Sequence, residues 1–94
     1  MENNKSMTLQ ECIEQKITSA YAKYGGWNSA SVIVRRDSVE IWFNTEKPYL
    51  GPKFWDFLEE VADSISEPLR KAGYQTNHQS QFLYSLLSWT YKRF

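Results

Sequence analysis

The densest chemistry in the chain lies in the twelve residues from Asp56 to Glu67. Asp56, Glu59, Glu60, Asp63 and Glu67 fall in this stretch with no lysine or arginine among them. Asp56, Glu60, Asp63 and Glu67 follow one another at spacings of four, three and four, which sets four carboxylates along one helical face. Carboxylate oxygens in that number suit a hard cation. No histidine and no second acidic segment completes a ligand set, so the pattern points to a solvated face or to electrostatic contact with a basic protein surface. Neither a metal nor a cofactor is expected. Trp55 opens the same segment, beside Asp56 and off the centre of the apolar stripe. Large rings so placed anchor interfaces, which makes Trp55 with the five acids the candidate partner-binding set.

Catalytic chemistry finds little material. His78, the one histidine, sits in a polar stretch with no nearby Cys or Asp to orient it. Cys12, the one cysteine, falls on the apolar side of a helical pattern and reads as a small hydrophobe rather than a nucleophile. A single cysteine also excludes an intrachain disulfide and a cysteine-rich zinc site. The chain has no phosphate loop, no Gly-x-Ser-x-Gly and no His-Glu-x-x-His. No catalytic residue is nominated, and an enzyme is not expected.

The basic residues give a second candidate set. Arg70 and Lys71 close one helical pattern, and Lys92 and Arg93 stand beside Trp89 and Tyr91. Rings that stack on bases, with cations for the backbone, are what a single-strand or RNA binder uses. Bases at a helix C-terminus also follow from the macrodipole alone. Eleven basic and eleven acidic side chains give a formal charge of zero, which disfavours a general nucleic-acid or membrane binder. The charge is nevertheless uneven. Residues 1–53 hold seven bases and six acids, residues 54–69 five acids and no base, and residues 70–94 four bases and no acid.

Placing these residues requires a scaffold. Ser29 to Asn44 is the one run with sustained alternation, and a two-residue turn at Arg36-Asp37 pairs Val34 with Val39 and Val32 with Ile41 on one apolar face. Ser31, Ile33, Arg35, Ser38, Glu40 and Trp42 fall on the other, mixed face. A lone hairpin is marginal in water, so helices must cover it. Thr8 and Glu11 form a capping box ahead of Leu9, Ile13, Ile17 and Ala20, and Gly25-Gly26 ends that helix. Residues 1–7 are polar and expected to fray. Thr45 to Pro52 reads as a loop containing two prolines, with Tyr49 and Leu50 either tucked beneath it or forming a contact surface.

Pro52 suits the first position of a second helix, whose stripe runs through Phe54, Phe57, Leu58, Val61, Ile65 and Leu69 to Gly73. Pro68 interrupts it, predicting a kink or a fresh start capped by Ser66. Tyr74 to Gln79 reads as a polar loop. From Ser80 onward Leu87, Trp89 and Tyr91 alternate as in a strand, but Gln81, Ser85, Ser88 and Lys92 share one helical face. The expectation is a terminal helix.

The chain is therefore expected to be one small α+β domain over residues 1–94, ordered helix, β-hairpin, kinked helix, terminal helix (αββαα). A third antiparallel strand at the C-terminus (αββαβ) is the alternative. No apolar run suggests secretion or membrane insertion, so the expected location is the cytoplasm. A 16% aromatic content supplies large rings to a short core and leaves some for an interface. The expected function is non-catalytic protein binding by an inhibitor, adaptor or regulatory subunit. Nucleic-acid binding is the alternative, and open strand edges make a homodimer a further expectation.

Overall fold

The first helix, α1, spans Leu9–Lys23 and begins where its capping box dictates. Thr8 Oγ1 accepts from the Glu11 N–H at 3.1 Å, and Glu11 Oε1 accepts from the Thr8 N–H at 3.0 Å. At the other end Gly25 takes φ +88°, and the Gly26 N–H donates to the Tyr21 carbonyl at 2.8 Å. This is the left-handed closure the glycine pair predicts. Ile13, Ile17, Ala20 and Tyr21 are buried, and Cys12 is half-buried. The computed structural model describes residues 7–47 and 49–94, so residues 1–6, expected to fray, and Pro48 of the loop lie outside the described residues.

Strands β1 (Ser31–Val34) and β2 (Ser38–Asn44) form the expected hairpin. Val34 pairs with Val39 and Val32 with Ile41, and the Arg35 N–H donates to the Ser38 carbonyl at 2.8 Å across the two-residue turn. Val39, Ile41 and Phe43 are fully buried, whereas the alternate residues stay half-exposed. The apolar face thus lies against the helices, as the alternation requires.

Helix α2 spans Lys53–Lys71 with Pro52 as its N-cap, so it starts one residue later than the sequence reading, which put Pro52 at the first helical position. It continues through Pro68 as one helix. Pro68 lies in the last turn, so the carbonyl it leaves without a partner is only that of Ser64. Ser66 caps no second helix; its Oγ donates back to the Ala62 carbonyl at 2.9 Å. Gly73, at φ +93°, ends α2 with the same closure as α1, the Tyr74 N–H donating to the Leu69 carbonyl at 2.9 Å.

The terminal helix does not form. Residues 79–92 make a second hairpin, β3 (Gln79–Leu83) and β4 (Leu86–Lys92). The order is αββαββ, and the four strands run antiparallel as β1-β2-β4-β3. The three-stranded alternative gave the hairpin one further antiparallel strand, which β4 supplies beside β2, but missed β3. Strand geometry prevails because Leu87, Trp89 and Tyr91 stand opposite Phe43, Ile41 and Val39 and complete one buried face. Gln81 and Ser88, which suggested a helical face, are cross-strand partners on the other side of the sheet. Tyr74, expected in a polar loop, is buried. Its hydroxyl donates to the Arg35 carbonyl at 2.8 Å, and the Arg93 guanidinium lies 4.7 Å from its ring centre.

One core joins the inner face of the sheet to both helices, with Phe57 at its aromatic centre. Its ring lies 4.3 Å from that of Tyr21 and 5.9 Å from that of Phe43. No helix of the described residues is long and apolar enough to cross a membrane.

Candidate functional site

Helix α2 presents Trp55 outward. Its ring is 66% exposed and meets Phe54 edge-on at 6.1 Å, while Phe54 stacks on Phe57 and so ties the pair to the core. Trp55 therefore does not seal the core edge. Facing it across a groove of about 300 Å³ stand Ser80 and Phe82 of β3, and Phe82 is 59% exposed. Leu58 and Ala62 form the helix wall, Leu87 and Trp89 the floor, and Glu59 the rim. His78 stacks on Trp89 with ring centroids 4.1 Å apart, and burial lowers its imidazole pKa. The groove exists because β3 is the outermost strand and its helix-facing side is left uncovered; every residue of β3 is exposed.

The five acids divide into two groups. Glu60 accepts from Lys23 Nζ at 2.8 Å and from the Tyr24 hydroxyl at 3.3 Å. That hydrogen bond, reinforced by the Glu60 charge, holds the Lys23 ammonium pKa above its ordinary value. Glu67 pairs within its own helix with Arg70 and, at 3.7 Å, with Lys71. Asp56, Glu59 and Asp63 form no ion pair among the described residues. Together with Glu60 they line a shallow concavity of about 490 Å³ on the side of α2 that meets Tyr24. Among the described residues no three of His, Cys, Asp and Glu converge as metal ligands. Among the described residues the charge of α2 without an ion pair is thus carried by three of the five carboxylates.

No protein-family model and no curated protein matches this chain.

The basic set is dispersed. Trp89 and Tyr91, the rings nominated to stack on bases, are 4% and 1% exposed. Arg70 and Lys71 are engaged with Glu67, and Arg93 Nη1 donates to the Ala72 carbonyl at 3.3 Å, at the end of α2. Lys92 stands opposite Ser38, on the sheet face away from the helices. Of the rings beside these cations, Trp89 and Tyr91 are thus buried, whereas Phe94, next to Arg93, is exposed.

Trp55 and Glu59 were nominated from sequence and lie on the groove. Ser80, Phe82 and His78 line it too and were missed. Their contribution depends on β3 being an edge strand, and nothing in an exposed strand's own sequence marks which side faces a helix. Tyr49 and Leu50 divide, with Tyr49 exposed and Leu50 packed against the core.

Proposed function

We propose that this chain is a non-catalytic protein-binding domain that acts by occupying a partner's surface, as an inhibitor, adaptor or regulatory subunit does. The observation that carries the reading is the pairing of exposed Trp55 and Phe82 across one apolar groove whose rim is Glu59. Exposed aromatics flanking a concave apolar surface bury well against a complementary side chain. The acids beside them act mainly on encounter, raising association rate in a salt-dependent way. No catalytic group is assigned.

The test is affinity capture from the native cell extract by the parent chain, by Trp55→Ala and by Asp56/Glu59/Asp63→Lys. Each variant is first confirmed as folded by circular dichroism. Folded variants that lose the captured protein support the reading. Folded variants that retain it as well as the parent does would place the interface elsewhere. A salt titration against single-stranded DNA and RNA separates the rival class, since phosphate contacts give steep salt dependence.

A further inference from the structure

We infer that the groove takes an extended segment of a partner protein, added to β3 as a fifth strand, in which a large apolar side chain and a Lys or Arg two residues from it share the helix-facing side. The inference rests on the protein-binding reading above and names the chemistry of the partner.

The backbone supplies the first reason. Leu83 and Leu86 close the two-residue hairpin, so Gln79, Gln81 and Leu83 turn their N–H and C=O groups toward β4. Ser80 and Phe82 turn theirs away from the sheet, along its open edge. Natural edges are blunted with charge, proline, bulges or a covering element. The edge at β1 is only four residues long and runs into Arg35-Arg36. Among the described residues none of these devices is present at β3. From Ala72 to Tyr91 the chain has twenty residues without Lys, Arg, Asp, Glu or Pro.

Side-chain space supplies the second. A strand added to β3 would place the residues opposite Ser80 and Phe82 on the helix side of the sheet. Ser80 pairs with Trp89, and its small side chain leaves a notch over that ring between His78 and Phe82. A large apolar side chain opposite Ser80 fills the notch and reaches toward Trp55.

Charge selects the partner. Glu59 borders the groove, with Asp56 one turn before it and Asp63 one turn after, and none is ion-paired among the described residues. A basic side chain two residues from the apolar one shares its helix-facing side and meets this stripe. A second copy of this chain fits less well. Pairing β3 with β3 about a two-fold axis would set both α2 helices on one side of the joined sheet. Both acidic stripes would then flank a single cleft, and β3 carries no base to place between them.

The experiment pans a displayed library of random linear peptides against the full chain and measures binding of the recovered peptides. Sequences with Lys or Arg two residues from a large apolar side chain are expected, weakened by roughly tenfold or more in Glu59→Lys. N-methylation is then scanned along the tightest peptide, which leaves the protein untouched. Loss of binding at every second amide is the signature of strand addition, since only alternate N–H groups face the neighbouring strand. Recovery of no peptide, recovery of acidic peptides, or a methylation scan without that alternation would overturn the proposal. So would a dimer in sedimentation that Gln81→Lys converts to monomer, because the second copy would then be the occupant. If Trp55→Ala loses its captured partner while the scan shows no alternation, protein binding stands and strand addition alone fails.

Discussion

The His78 imidazole lies on the Trp89 indole with 21° between the planes and stands edge-on to Tyr91 at 5.1 Å. A ring so placed is desolvated on one side, which disfavours its charged form and lowers its pKa. The unfolded chain therefore takes up this proton more readily than the folded one. Stability is full above the ordinary histidine range and falls as pH drops through it. Urea unfolding between pH 7.5 and pH 5 is expected to show that decline, about one histidine's worth. His78→Phe keeps the stack and should flatten the slope. An unchanged slope would mean that the decline belongs to the carboxylates.

Tyr91 is an unsatisfied group. Its hydroxyl is buried and has no hydrogen-bond partner among the described residues, and burial pushes its pKa well up. Tyr91→Phe removes the orphan and keeps the ring, so a gain of about 1 kcal/mol is expected by urea unfolding. The same group predicts alkaline sensitivity. The unfolded phenol ionises near its ordinary value while the folded one does not, so stability is lost as pH rises through that value. A clear loss of stability in Tyr91→Phe would reveal a hydrogen bond to solvent.

Ile41 stands at the centre of the sheet, fully buried between Val32 of β1 and Trp89 of β4. Ile41→Ala should cost about 2–5 kcal/mol through lost transfer energy and the cavity left behind. Chemical denaturation measures it. A loss below about 0.5 kcal/mol would belong to a surface position and would reverse the faces of the hairpin.

Tyr84 holds φ +57° in the β3–β4 turn and is 96% exposed. Glycine is the residue that this first turn position favours. Tyr84→Gly should therefore stabilise the fold by about 1 kcal/mol, the scale of the left-handed penalty. If the ring serves the partner, the same variant should weaken capture while its melting temperature rises. A variant that is both more stable and equally competent would leave the ring without a role in binding.

Local signals were legible and relational ones were not. Thr8, Glu11 and Gly25 mark the ends of α1 by chemistry that acts over three or four residues. The β1–β2 register followed from alternation alone, because a shift of one residue would have turned Ile41 to solvent. The β3–β4 hairpin escaped for two reasons. Its turn is Tyr84-Ser85, which lacks the Gly or Asn that announces such turns, and β3 has no buried side to give it a period. The candidate site divides along the same line. Trp55 and Glu59 could be nominated because they break the apolar stripe of their own helix. Ser80 and Phe82 acquire meaning only beside α2, which the terminal-helix reading did not allow.

The sheet order has a consequence for biosynthesis. β4 comes last of the four described strands yet lies second from the edge, joining β2 to β3. While it is still within the ribosome, β2 has β1 on one side and an unfilled flank on the other, and the helices lack half of their floor. Closing β4 against β2 pairs residues roughly forty to fifty-five positions apart, from Asn44 with Leu86 to Ser38 with Lys92, contacts whose loop entropy must be met before they are rewarded. The nascent chain is thus a waiting intermediate with apolar surface on view, and its vulnerability to aggregation ends only when Leu87, Trp89 and Tyr91 emerge.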